Sequence, residues 1–249
     1  MIYSFYREGV EESLKDHILL ALNKVSEVRS SRLARAVDDP DKLSKALKIS
    51  VIAHDLGKAF YQVEHKGKMS FRGHEVISAY ILNNSLIELS EWEKWHLPLV
   101  FSVLYHHHAM GFENWSSNYL KYKRRGFQAA LEERNGLSLL EELSQIVEEV
   151  SPEEVKEVTK VISEKVLELS SFKSAEEFVR EVNLTVDDVR KKIWENFTYG
   201  GDPVMRKRSL VLLSGLVTAD YLASNESRGG DSKFLRVLRE FHELYMRGL

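Results

Sequence analysis

The chain is expected to be an all-α protein, a bundle of helices, on three observations. Only four prolines and thirteen glycines punctuate 249 residues, so few positions interrupt a helix. Apolar residues recur at three- and four-residue spacing over long stretches. Several of those stretches are preceded by capping residues. The expected helices lie near residues 10–28, 41–56, 73–88, 91–108, 127–149, 152–170, 174–182, 186–196, 205–224 and 231–247.

Each has a local reason. The first contains Leu14-Lys15-Asp16-His17-Ile18, an amphipathic stretch. The second opens at Asp39-Pro40, a cap followed by proline at the first helical position. It continues through Leu43, Ala46, Leu47, Ser50, Val51 and His54 on one face, and Gly57 offers a stop. His74 stands at the next helix start, after Phe71-Arg72-Gly73. Ser90 with Glu93, Ser151 with Glu154, Ser174 with Glu177 and Thr185 with Asp188 resemble capping boxes. The apolar run Val100 to Tyr105 ends in His106-His107-His108. Residues 109–126 are rich in glycine and aromatics and are expected to form a loop. Leu210, Leu213, Leu216, Val217 and Asp220 share a helix face. With no repeat and no low-complexity linker, residues 1–249 are expected to form one domain. Within it, residues 132–190, dense in Glu and Lys, are expected to be an accessory helical lobe.

Composition narrows the function. Hydrophobic residues make up 43 %, enough for a sizeable core, and the net charge is −3, which excludes a strongly basic nucleic-acid coat. There is no cysteine, so disulfides, zinc ribbons and thiol catalysis are impossible and any metal must use N and O ligands. The absence of cysteine fits a reducing compartment. The N-terminus has no signal-peptide pattern, and the most apolar stretch, Leu210 to Ala223, is short and contains Asp220. A cytoplasmic protein with no membrane association is expected.

Polar groups on apolar helix faces carry the functional signal. His17 or His74 alone is more often a packed or half-exposed residue than a ligand. Asp220 is different, because a carboxylate on a buried face costs several kcal/mol unless it is paired or bound to a cation. His54-Asp55 closes the apolar stretch Ile49 to Ala53, and His106-His107 closes another in the same way. Imidazole nitrogen and carboxylate oxygen form the ligand set of borderline divalent metals such as Mn, Fe, Ni and Zn. Together the positions imply a hydrolytic metal site assembled from separate helices.

The order His17, His54-Asp55, His74, His106-His107, Asp220 resembles that of the HD phosphohydrolases. The string HDLGKAFYQ, His54 to Gln62, is similar to the extended motif of the HD nuclease of type I CRISPR interference, and so is GLVTADYLAS, Gly215 to Ser224. The resemblance runs from about His17 to Ser224 and is weakest through the Glu-rich segment. It implies an HD-domain helical bundle and two divalent ions, as Mn, Mg, Ni or Fe. One ion would be held by His17, His54, Asp55 and Asp220, and the other by Asp55, His74, His106 and His107. A slip by one residue would make the last pair His107 and His108. Asp55 would be the catalytic bridge, and Lys58 would stabilise charge on phosphate oxygens. The implied activity is hydrolysis of single-stranded DNA or RNA. The chain has no Gly-x-x-x-x-Gly-Lys-Ser/Thr loop. The resemblance is therefore to a stand-alone nuclease whose partners are a separate helicase subunit and the crRNA-guided surveillance complex.

Basic residues suggest where a strand would run. Lys121, Lys123, Arg124 and Arg125 stand beside Tyr119 and Tyr122, a mixture suited to phosphate pairing and base stacking. Lys66, Lys68 and Arg72, and also Arg206, Lys207 and Arg208, are close in sequence to ligands and could border the site. The plain alternative for all three groups is a solvated surface. Two rival functions use the same ligands: a nucleotide or cyclic-nucleotide phosphohydrolase, and a helical adaptor retaining a structural ion.

Overall fold

The computed structural model describes residues 1–107, 136–198 and 200–248. The fold is mainly α-helical. The described helices are α1 (Leu14–Lys24), α2 (Pro40–Ala53), α3 (His74–Ile87), α4 (Glu93–Tyr105), α5 (Gly136–Val150), α6 (Lys156–Glu168), α7 (Ala175–Phe197), α8 (Pro203–Arg228) and α9 (Lys233–Phe241). The expected loop at 109–126 lies outside the described residues, as does the start of the helix expected at 127–149.

A small antiparallel sheet was not expected. Its strands are β1 (Tyr3–Arg7), β2 (Val10–Ser13), β3 (Glu64–His65) and β4 (Lys68–Met69), in the order β2-β1-β4-β3. Two turns build it, Glu8-Gly9 and Lys66-Gly67, with positive φ at all four residues (50°, 86°, 52° and 71°). Such turns match the twist of the strands they join. The Glu8 N–H donates to the Gly67 carbonyl at 2.9 Å, so the two hairpins are tied together. Residues 10–13 are therefore strand where helix was expected. The helix begins only where the Ser13 hydroxyl caps the Asp16 N–H.

α2 forms for the expected reasons. Asp39 accepts from the Lys42 N–H, Pro40 takes the first helical position, and the face from Leu43 to His54 is buried. The helix ends earlier than expected, at Ala53, and the chain tightens into a 3₁₀ segment over Leu56–Tyr61. Gly57 is not the stop. A Cβ there would lie 2.1 Å from the His74 carbonyl oxygen, so glycine allows the 3₁₀ segment to touch the start of α3. The Gly57 N–H also donates to Ser78 Oγ at 2.9 Å.

α7 is one helix where two were expected. Ser174 caps it, but Thr185 lies inside it and bonds to Glu181 Oε1 at 3.4 Å. Val182, Val186 and Val189 stay on its buried face across the junction, so packing against α3 and α4 outweighs the local capping signal. Ser90 and Ser151 likewise cap no α-helix: each precedes or begins a single 3₁₀ turn, and α4 and α6 start from Trp92 and Val155 without a side-chain cap.

α8 packs against α1, α2 and α4. Its inner face is Leu212, Leu216, Ala219 and Ala223 with Gly215, and Leu210, expected on that face, is 51 % exposed. α5 packs on α6, which lies against α3, and Leu143, Ile162 and Val182 share one core with Ile18, Leu47 and Leu82. No helix among the described residues is long and apolar enough to cross a membrane.

Replacing Gly57 by Ala should cost about 1–3 kcal/mol, the usual range for overpacking. Urea denaturation of the variant would read it, and unchanged stability would mean that the 3₁₀ segment does not depend on this close approach.

Candidate metal centre

Five helices deliver the expected ligands to one place. His17 lies within α1, His54 and Asp55 follow α2, His74 begins α3, His106 and His107 follow α4, and Asp220 projects from α8. Nearly all are buried: His17, His54 and His106 are fully inaccessible, and Asp220 is 5 % exposed.

Three imidazoles are oriented by main chain. His54 Nδ1 donates to the Val51 carbonyl at 2.7 Å, His74 Nδ1 to Phe71 at 2.6 Å, and His106 Nδ1 to Val103 at 2.6 Å. A carbonyl oxygen only accepts, so in the neutral ring Nδ1 carries the proton and Nε2 offers its lone pair inward. His17 Nδ1 instead faces a carboxylate, Glu12 Oε1, at 3.3 Å.

The inward atoms form two groups, each within 4.8 Å, that share Asp55. In the first, His17 Nε2 lies 3.4 Å from His54 Nε2, 3.4 Å from Asp55 Oδ2 and 3.2 Å from Asp220 Oδ1. His54 Nε2 is 3.3 Å from Asp55 Oδ2 and 3.7 Å from Asp220 Oδ1. In the second, His74 Nε2 is 2.8 Å from Asp55 Oδ1 and 3.2 Å from His107 Nε2, and His106 Nε2 is 4.0 Å from Asp55 Oδ1. Donors bound about 2.0–2.2 Å from a common ion stand roughly 3–3.5 Å apart, close to these spacings.

The donor chemistry fits a cation. Acceptor atoms face acceptor atoms in a buried space, an arrangement that is repulsive without positive charge between them. Asp55 Oδ1 and His106 Nε2 are buried with no hydrogen-bond partner of good geometry. Burial opposes charge on Asp55, yet the adjacent His54 ring and the Lys58 ammonium hold its carboxyl well below the usual range. Asp220 is held low against burial, foremost by its hydrogen bond with His17. Burial and the neighbouring His107 ring keep His106 low, and burial with His74 lowers His107 to about 3, so both are neutral, as ligands must be. Each of the two buried groups can hold a metal ion.

No protein-family model matches this chain, and no curated protein or solved structure matches it. The geometry is thus the main guide to what the centre does.

The remaining candidates divide sharply. Lys58 Nζ lies 2.5 Å from Asp55 Oδ2 and 5.7 Å from the centre of the Phe71 ring, so it belongs to the centre. Lys66, Lys68 and Arg72 are exposed, on the β3–β4 hairpin and the approach to α3. Lys121, Lys123, Arg124, Arg125 and His108 lie outside the described residues. The pair brought to the second group is His106 and His107. Arg206, Lys207 and Arg208 do not border the centre. Twelve residues of α8 separate Arg208 from Asp220, about 18 Å at 1.5 Å per residue. Arg208 is buried, pairs with Asp38 at 2.5 Å, donates to the Lys94 carbonyl and lies over the Trp95 ring. Neighbours in sequence on a helix are distant in space.

Two residues in contact with the centre were not expected. Glu75 is buried, with Oε2 3.5 Å from His74 Nδ1. Glu12 ends its carboxylate at His17 and is 5 % exposed, whereas its neighbour Glu11 faces solvent. Only the alternation of β2 separates the two, and that strand was hidden under an expected helix.

In the cation-free protein His17 takes a proton. Burial works against it, but hydrogen bonds with Asp220 and Glu12 push its pKa up to about 9 from 6.5. A raised pKa stabilises the fold fully below about 6.5, and that contribution, roughly 3 kcal/mol, is lost as pH rises towards 9. Melting temperatures in chelator should therefore fall between pH 6.5 and 9, and a divalent ion should remove much of the fall. A flat profile in chelator would contradict this protonation.

Proposed function

We propose that this protein is a metal-dependent phosphodiesterase, a nuclease acting on single-stranded DNA or RNA. The observation that carries the reading is the convergence of seven side chains, six of them buried and His107 half-buried, into two donor groups that share Asp55. Mn, Mg, Ni and Fe are the proposed ions: imidazole nitrogen favours Ni and Fe, and carboxylate oxygen favours Mn and Mg. The resemblance of His54–Gln62 and Gly215–Ser224 to the HD nuclease of type I CRISPR interference supports this reading. It makes a separate helicase subunit and the crRNA-guided surveillance complex the proposed partners, and the cytoplasm the proposed location.

Bound divalent ions would supply Lewis acidity, acidifying water and drawing negative charge from a phosphate. The residues of the chain have separate tasks. His17, His54 and Asp220 would hold one ion, and His74, His106 and His107 the other. Asp55 offers Oδ2 to the first group and Oδ1 to the second, which fixes their separation through one rigid carboxylate. Lys58 keeps an ammonium against Asp55 Oδ2. With three donors on that ammonium, Lys58 can also contact a phosphate oxygen and steady the charge that develops during cleavage.

The depth of the donors gives a second reading some weight. Fully buried imidazoles suit a small substrate, so nucleotide or cyclic-nucleotide hydrolysis is the alternative. One panel separates the two. The protein is incubated with Mn²⁺, Mg²⁺, Ni²⁺ or Zn²⁺ and offered linear and circular single strands, nucleoside monophosphates and cyclic nucleotides. Cleavage of the strands supports the nuclease, hydrolysis of monomers alone supports the alternative, and inert protein under every ion tested rejects both.

Asp55→Ala should abolish turnover and weaken both ions, since both groups use it. Asp220→Asn should lose most activity. Lys58→Ala should lower turnover about 10²–10³-fold, the usual cost of one preorganised charge-stabilising donor, while leaving metal content intact. Loss of bound metal from the Lys58 variant, measured by elemental analysis, would make its role structural instead.

A further inference from the structure

Three of the imidazoles in the centre are oriented by carbonyls of their own preceding turn, as described above. His17 is oriented differently. Its Nδ1 faces a side chain, Glu12, which comes from the end of the β1–β2 hairpin. That carboxylate is in turn heavily bonded. Oε2 accepts from Ser4 Oγ at 2.6 Å and from Arg228 Nε at 3.0 Å, and Arg228 Nη2 also pairs with it. Oε1 accepts from Ser227 Oγ as well as facing His17. The Arg228 guanidinium is itself seated over the Phe5 ring, 4.3 Å from its centre. Ser227 and Arg228 close α8, the helix that carries Asp220 two turns earlier.

We propose that Glu12 is a positioning residue for the His17 group: it fixes the His17 ring with Nε2 inward and clamps that ring to the end of the helix bearing Asp220. The inference rests on reading the two groups as metal sites. A carboxylate on the far nitrogen of a ligating imidazole sets its tautomer and raises its basicity, and losing such a partner commonly lowers metal affinity 10–100-fold. Arg228 prevents the carboxylate from turning away, because its fork takes Oε2 while Oε1 stays on His17. The effect is confined to one group. In the second group His74 and His106 are oriented by main chain, and Glu12 faces His17 of the first group, so removing the carboxylate should separate the two sites.

Cobalt(II) alone is the probe, followed by calorimetry and by its visible absorption, which reports ligand number and geometry. Wild type should take two equivalents. Glu12→Ala should weaken one of them roughly 10–100-fold and alter its absorption bands, leaving the other unchanged. His17→Ala should weaken the same equivalent, and His106→Ala the other. Glu12→Gln keeps the side-chain volume and can still accept from Nδ1, so it should retain more affinity than Glu12→Ala. It also serves if the alanine variant does not fold, and should then show the same one-site loss in smaller measure. Two unchanged equivalents in either folded variant would overturn the assignment of Glu12 alone. Equal weakening of both equivalents would also overturn it, because a general loss of structure moves both. Wild type that binds no cobalt would overturn the metal reading and this inference with it.

Discussion

The architecture is organised around a local electrostatic problem. Two carboxylates and the lone pairs of several imidazoles are held a few ångströms apart and buried from solvent. Like-charged and acceptor groups in such a space repel, and each has also lost its hydration. The arrangement is tolerable only with positive charge in the middle. In the absence of a cation, two features supply part of it: a proton on His17 and the ammonium of Lys58. Both are substitutes that a divalent ion can displace or relieve.

The rest of the fold can be read as the means of holding that strained set in place. α8 touches α1, α2 and α4 at once, so the helix carrying Asp220 also seats the helices that present His17, His54 and His106. Three rings are locked by carbonyls one turn back, a device that needs no additional residue and leaves the ring no rotational freedom. Gly57 removes the one Cβ that would separate Asp55 from the start of α3. The result is a preorganised group whose cost is met by the surrounding core.

Much of this was legible in the sequence because burial and polarity conflict there. A His-Asp pair ending an apolar helix, or an aspartate in the middle of Leu210 to Ala223, contradicts its surroundings, and such contradictions mark sites. The helical class followed from the spacing of apolar residues, the few prolines and glycines, and the caps. What was not legible depends on tertiary contact. Thr185 carries a capping signal, but three valines on one face override it. Arg208 looks like part of a basic edge, yet it is buried against Asp38 and Trp95. Glu12 cannot be told from Glu11 until the strand between them and the hairpin turn is known. The tyrosine- and lysine-rich segment around Lys121 to Arg125 lies outside the described residues, so the strand path drawn from it rests on sequence.

The two tied hairpins set a dimension. β2 runs directly into α1, and β4 leads through Phe71 to α3, so the four-stranded sheet spans the interval between the entry to His17 and the entry to His74. Because side chains alternate along a strand, a single residue added to the Glu8-Gly9 turn would reverse what β2 presents inward. Glu12 would then point to solvent and Glu11 inward. A sheet of only thirteen strand residues thereby acts as a gauge for the spacing of helices much larger than itself, and the Glu8-Gly9 turn should tolerate insertion less than its exposed position suggests.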